Sequence, residues 1–309
     1  SVPFLLSTSP NADNREDGKG VGGGIQKVGY GENDERLGGA FASDDTPVFY
    51  ATSPTKQYWK IETKDMYTSK GWVNSATEPP SLSNYGLGEP IQSDIAPGTE
   101  DESLIARIYM SQPYPFIMQP YGIEWVDSVE PISLKMNERN QKLYTFNGDN
   151  EVSVGTYEVT YNEPIYSLKA LRDTAPANLE GLSSEFDRYL QLPETLPSRV
   201  KDLATSITAD TDNLYDKAKA IERYFRLNGF SYNQDLAAVP EGDTDYVDQF
   251  LFDTKVGYCD NFSTSMVVLL RSEGIPARWV KGFAPGDVVE RDNGVPVYEV
   301  TNNNAHSWV

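Results

Sequence analysis

The sequence predicts an α+β protein, an antiparallel β-region followed by a helix-led core that closes in strands. Three observations predict it. Short alternating or β-branched runs fill the stretch from Thr46 to Tyr161. Apolar residues recur at helical spacing after Pro164. A nearly continuous apolar run then starts at the lone cysteine, Cys259, and two strand patterns separate it from the lone histidine, His306. A chain of 309 residues, at about 100–200 residues per domain, is expected to hold two domains. The divisions are a mobile Gly/polar linker over 1–40, a β-rich domain over 41–165 and the core over 166–309.

Taken in order, residues 7–40 are rich in Gly, Asn, Asp and Glu around GKGVGGG, which reads as a linker. Those glycines lack the GxxxxGK[ST] spacing and a preceding apolar strand, so no phosphate loop is expected. VFYA, QYWKIETKDMYT, SLIARIYM, ISLKM, KLYTF and EVSVGTYEVTY read as strands, punctuated by turn sequences such as SLSNYGLGEP. Their Tyr and Trp residues are assigned to cross-strand packing rather than to a carbohydrate surface, and no active-site residue is expected among them. Helices are expected at Leu182–Leu190, Ser198–Ile207 and Asn213–Leu227, the last capped by Thr211, Asp212 or Asn213 and stopped by Asn228-Gly229. A further helix is expected over Tyr246–Phe252. The helix from Cys259 should end at Gly274, with Pro276 beyond, followed by strands at Ala277–Phe283, Val295–Val300 and around His306.

Composition narrows the partners. With 26 basic and 46 acidic residues the net charge is −20, which argues against a nucleic-acid partner and against adsorption to anionic lipid. Cationic substrates would be attracted, although most acidic surfaces serve solubility alone. One cysteine excludes an intrachain disulfide and leaves the compartment open. No run reaches the ~20 apolar residues of a membrane span.

A single thiol and a single imidazole are the minimum parts of a cysteine acyl-transfer site. A lone cysteine is more often a small buried hydrophobe. Cys259, however, opens its apolar run instead of sitting inside it, after the turn Val256-Gly257-Tyr258 and before Asp260 and Asn261. At a helix N-terminus the macrodipole favours the thiolate, which in such places titrates at roughly 3.5–7.5 rather than about 8.5. The expectation is therefore a partly exposed, acidified thiol with His306 on a neighbouring strand. A zinc site needs three or four ligands, more than one Cys and one His supply, so no metal and no cofactor are expected. Asn261-Phe262-Ser263 is formally a glycosylation sequon, but a glycan there would block the thiol, and the match is taken as chance.

The segment from Gly257 to Phe283 resembles the core motif of the transglutaminase-like superfamily, through Gly257, Cys259, Phe262, Arg271, Gly274, Ile275, Pro276, Ala277, Arg278, Gly282 and Phe283. The second block of that family, Ala-His-x-Trp-Val, stands as Ala305, His306, Trp308 and Val309. Upstream, YLQLPETLPSRVKDLA and the helix before GFSYN are similar to the bacterial membrane-anchored, TgpA-like branch. The resemblance covers about residues 180–309. It implies a papain-like core, Cys259 as nucleophile and His306 as its base. It also implies an aspartate on the following strand, past Val309, so that the chain as given lacks the end of that core and is expected to be a weak catalyst. Asp287 and Asp292 precede His306 and do not match that position. The resemblance further implies acyl transfer on protein or peptide amides, cell-wall peptides among them, at the extracellular face of the membrane, reached through transmembrane segments of a longer parent. The alternative from another class is a non-catalytic protein- or cell-wall-binding module that keeps the fold. Beside the Cys259 backbone N–H, Tyr232 and Tyr258 are candidate oxyanion donors, each more simply read as core or rim packing. Arg271 and Arg278 carry a structural reading too, as a helix-end charge and a strand ion pair.

Overall fold

The period-two pattern of the first half is realised in its strands. Ala106 and Ile108 are buried while Arg107 and Tyr109, between and beyond them, are exposed. Across the ladder Tyr157, Val159 and Tyr161 turn inward. In the computed structural model, which describes residues 26, 27, 29–31, 33–75, 81–92, 95, 96 and 99–309, the main strands are β1 (Pro47–Thr52), β2 (Trp59–Lys64), β3 (Leu82–Tyr85), β4 (Asp101–Met110), β5 (Ile123–Asp127), β6 (Ser133–Asn137), β7 (Leu143–Asn147), β8 (Thr156–Pro164), β9 (Trp279–Phe283), β10 (Asp287–Asp292), β11 (Val295–Thr301) and β12 (Ala305–Trp308). The main helices are α1 (Ser198–Thr208), α2 (Leu214–Leu227) and α3 (Cys259–Ser272).

The largest sheet is antiparallel, in the order β10-β11-β1-β4-β8-β5. A second, β12-β9-β2, carries the histidine strand at its edge. A third joins β7, β6 and β3 with the short Asn150–Glu151 strand. Two of these sheets cross the division expected at 165/166. Strand β11 pairs with β1 through Tyr298↔Ala51 and Val300↔Phe49, and β9 pairs with β2 through Lys281↔Glu62 and Phe283↔Trp59. Composition changes at Pro164, but hydrogen bonding does not respect that change, because each half leaves strand edges that the other half fills.

The hydrophobic interior follows the same plan. One cluster, between the sheets, mixes Phe49, Trp59, Ile61 and Val159 with Phe283, Val300 and Ala305. The other gathers Val200, Ile221, Phe225, Phe250, Phe262 and Val268 around α3 and includes Tyr67 and Trp72 from the first half. The Trp72 and Trp279 rings stack at 5.8 Å.

Local signals place the helices closely. Asn213 caps α2 by accepting from the Asp216 N–H, and Gly229 follows with φ +77°. Helix α3 stops before Gly274, whose φ of +73° lets the Ile275 N–H return to the Leu270 carbonyl at 3.0 Å. Ser184–Leu190 is 3₁₀ rather than α-helical, and the helix begun at Tyr246 widens into a π-helical turn over Gln249–Thr254. The expected linker needs correction over its last residues. Its glycine run lies outside the described residues, but Tyr30, Asp34 and Leu37 are buried. Lys281 and Lys64 both pair with Asp34, at 2.8 and 2.6 Å, and Lys281 also donates to the Gly31 carbonyl. One buried carboxylate between two ammonium groups holds that segment in place, since withdrawing Asp34 would take its charge from both lysines in the interior.

Candidate active site

Glycines shape both sides of the site. A Cβ on Gly257 would lie 2.3 Å from the Asn261 side chain. Its absence lets Asn261 fold back and accept from the Tyr258 N–H at 3.1 Å, one of the free donors at the start of α3. Asn261 is buried in that role, so the formal sequon is part of the helix start. On the strand side Gly282 stands opposite His306 in the register. A Cβ there would meet the Trp59 carbonyl at 1.9 Å, so only glycine lets β2 approach β9 beside the imidazole.

Helix α3 then presents Cys259 as its first residue, against the strand that carries His306. Ser307, the residue after the histidine, is the point of contact. Its hydroxyl donates to the Asp260 carboxylate Oδ1 at 2.5 Å and lies 2.8 Å from the Ser263 hydroxyl. The Cys259 sulfur lies 3.7 Å from the same Asp260 oxygen. The two residues singled out from sequence thus sit on facing elements joined through their immediate neighbours. His306 is flanked by aromatic rings, Tyr58 at 5.7 Å and Trp308 at 6.1 Å between centroids. Tyr58 belongs to the β-rich half, where no site residue was expected. No local pattern marks it, because only the β2–β9 pairing brings it to the histidine.

Two expectations about the thiol are corrected. Cys259 is fully buried, at 0% exposure, in a cluster with Phe41, Tyr258 and Ala237. Phe41 packs edge-on to Tyr258 at 5.4 Å. The covering residues come from the first position of the expected β-rich domain and from the loop after Tyr232, two segments with no amphipathic signal. The thiol is also not acidified. Burial pushes its pKa well above the ordinary value and the Asp260 charge pushes it further, while the Ser307 hydrogen bonds pull the other way. Here desolvation outweighs the helix dipole, which is a modest and readily screened effect.

Burial likewise raises Asp260 to about 7, against the pull of the Ser307 hydrogen bond. The Cys259 N–H donates to the Tyr232 hydroxyl at 3.2 Å. An oxyanion would have to displace that hydroxyl to use the amide. Tyr258 is buried as packing, as the plainer reading had it. Arg271 is structural as well. Its Nε donates to the Ala277 carbonyl at 2.9 Å, Nη1 donates to the Asp65 and Gln191 carbonyls at 2.8 Å each, and the guanidinium lies over Trp72. Asp287 and Asp292 lie on the exposed strand β10. Among the described residues no three His, Cys, Asp or Glu side chains are placed to hold a metal ion, and no helix is long and apolar enough to cross a membrane.

Comparison with known proteins agrees with this architecture. Residues 201–309 match the model of the transglutaminase-like superfamily. The chain is 44% identical over 292 residues to the uncharacterized protein YebA of Bacillus subtilis (strain 168), covering 94% of this chain and 40% of that protein. It is 33% identical over 122 residues to a protein-glutamine gamma-glutamyltransferase of Pseudomonas aeruginosa, covering 40% of this chain and 17% of that protein. The chain therefore spans less than half the length of these curated relatives. In structure it is similar to the periplasmic domain of TgpA from Pseudomonas aeruginosa, with a TM-score of 0.57 at 22% identity over 85% of this chain and 82% of that one. The ethylmercury-bound form of that domain gives the same TM-score at 20% identity, over 85% and 84%. Residues 201–309 thus carry a match to the transglutaminase-like superfamily, within a chain whose fold is similar to that of the TgpA periplasmic domain.

Proposed function

We propose that this chain performs cysteine-dependent acyl transfer on protein or peptide amides, with Cys259 as nucleophile and His306 as general base and acid. The observation that carries this reading is the seating of Cys259, at the first position of α3, on the histidine strand, where its neighbour Asp260 accepts from Ser307, the residue next to His306. In the forward step the Cys259 thiol proton passes to His306 and the sulfur attacks the amide carbonyl. The tetrahedral adduct collapses as His306 returns the proton to the departing amine, which leaves a thioester on Cys259. Attack by a primary amine yields a new amide, and attack by water yields the acid; both restore the thiol. The negative oxygen of the adduct would be met by the Cys259 N–H once the Tyr232 hydroxyl yields it. The site would work at the outer face of the membrane, as part of a longer protein.

A second reading, a non-catalytic binding module that keeps the fold, draws on the full burial of Cys259. The two readings separate in one assay. Incubation with a glutamine-bearing peptide and a dansylated primary amine, followed by mass spectrometry, should give the amide adduct or the deamidated peptide. Cys259→Ala and His306→Ala should each remove it, by a factor of about 10³ or more. Product formation undiminished by Cys259→Ala would end the catalytic assignment.

A further inference from the structure

Buried hydroxyl groups leave little freedom in where their protons go. The Trp279 indole N–H is a donor only, and it points at the Ser263 hydroxyl at 2.9 Å. Ser263 therefore turns its own proton to Ser307, 2.8 Å away. Ser307 in turn donates to Asp260 Oδ1 at 2.5 Å, a length typical of a hydroxyl meeting a charged oxygen. The chain runs one way, from indole to hydroxyl to hydroxyl to carboxylate, and every member is buried. It crosses from β9 to α3, to β12 and back to α3. It ends beside the Cys259 sulfur, 3.7 Å from the same carboxylate oxygen.

We propose that Ser307 and Asp260 are positioning residues of the acyl-transfer site, a buried clamp that seats the His306 strand on the start of α3 and sets the charge state of the Cys259 sulfur from both sides. This inference rests on the catalytic reading of Cys259. Neither residue touches a reacting atom other than that sulfur, and both act through it or through the strand. The two halves of the clamp pull in opposite directions. The Asp260 carboxylate repels a thiolate, whereas Ser307 opposes that repulsion, because its hydroxyl proton on Oδ1 draws off part of the carboxylate charge facing the sulfur. The other charged and titratable groups around Asp260 are Asp34 from the segment before β1, Lys281 on β9, Tyr246 from the preceding helix and its own neighbours Tyr258 and Cys259. Asp34 is itself paired with Lys281. Asp260 Oδ2 has no hydrogen-bond partner among the described residues, so the carboxylate's side-chain hydrogen bonds run through Oδ1, a short one from Ser307 and a long one from the Cys259 thiol.

The test measures the sulfur directly and does not need turnover. With a single cysteine in the chain, the rate of iodoacetamide labelling against pH, followed by intact mass, reports Cys259 alone. Asp260→Asn keeps the shape and the acceptor for Ser307 but removes the charge, so the midpoint should move to lower pH by about one unit. Ser307→Ala removes the hydroxyl proton that quenches Asp260 Oδ1, so the bare charge 3.7 Å from the sulfur repels a thiolate more strongly and the midpoint should move to higher pH. Ser307→Thr, which restores a hydroxyl, should return it toward the parent value. Opposite shifts distinguish the clamp from loosened packing, which would speed labelling in both variants at every pH without reversing sign. Shifts of the same sign, or none in either variant, would overturn the proposal. Should Ser307→Ala fail to fold, Asp260→Asn against Asp260→Glu decides, because only loss of the charge should lower the midpoint. Amine incorporation is measured in parallel. If Cys259→Ala retains turnover while the midpoints shift as expected, the catalytic reading fails and the clamp on the sulfur stands. If turnover depends on Cys259 while the midpoints stay fixed, the clamp fails alone.

Discussion

At Cys259 two physical effects compete, and the outcome depends on what lies over the sulfur. A helix N-terminus favours a thiolate by a fraction of a kcal/mol to about 2 kcal/mol, whereas full burial can shift a pKa by roughly 3–5 units the other way. Burial prevails here and the resting group is a thiol, its pKa raised well above the ordinary value. Labelling of the unmodified protein by iodoacetamide should therefore still be rising at pH 9. A plateau near neutrality would show that the sulfur is uncovered in solution. Phe41 is the covering side chain whose removal costs the framework least, because it belongs to neither large hydrophobic cluster. Phe41→Ala should speed labelling about tenfold, equivalent to some 1.4 kcal/mol less resistance to local opening, with His306 and α3 undisturbed. An unchanged rate would place the barrier in the Ala237 loop instead. The two candidate residues were legible in the sequence because each is the lone member of its type and each stands in a recognisable block. Their cover was not, since Phe41, just past the expected linker, and Ala237, in a loop, stand in segments with no periodic pattern to mark them. Tyr58 escaped notice for the same reason. Its role depends on a strand pairing that spans more than two hundred residues.

Among the elements, α3 explains most of what the motif demands. Its apolar run is buried on nearly every side, as a helix in the centre of a mixed core must be. Its end is held by Arg271, which bolts the last turn to the Ala277, Asp65 and Gln191 carbonyls. Burial lowers that guanidinium to about 10, yet it remains charged at neutral pH and satisfies three carbonyls at once. Arg271→Lys keeps the charge but has no planar fork to share among them. Leaving buried carbonyls without donors should cost about 2–4 kcal/mol in chemical denaturation, with the midpoint falling and the slope unchanged. A loss under half a kcal/mol would mean that water reaches those carbonyls. Helix positions were legible because capping and stop residues are local: Asn213 and Gly274 do what their types predict. The 3₁₀ stretch at Ser184–Leu190 and the π-helical turn at Gln249–Thr254 were not, because tertiary packing selects those variants over an ordinary α-helix.

At the scale of the whole molecule the division into a β-rich half and a transglutaminase-like half is one of sequence composition, and the sheets are built across it. Strand β1 lies between β11 and β4 in the large sheet, and β2 backs β9 behind the histidine strand. Both hydrophobic clusters draw side chains from either side of residue 165. Separating the halves would expose Trp59, Phe49, Trp72 and their partners Phe283, Val300 and Trp279, all fully buried. Each large side chain of this kind is worth roughly 1.5–3 kcal/mol when buried, so six of them alone, about 9–18 kcal/mol, match the whole stability of a typical domain, about 5–15 kcal/mol. The exposed run between Ile165 and Phe186 still offers a protease a site. We therefore expect limited proteolysis there to nick the chain without releasing either half. The two pieces should coelute on size exclusion under native conditions and part only in denaturant, and a 1–165 piece expressed alone should show neither a cooperative melt nor dispersed NMR signals. A folded, monomeric 1–165 piece would mean that β1 and β2 can satisfy their edges without β11 and β9. The pairing that brings Tyr58 to His306 would then be a docking of two prefolded units instead of one folding event.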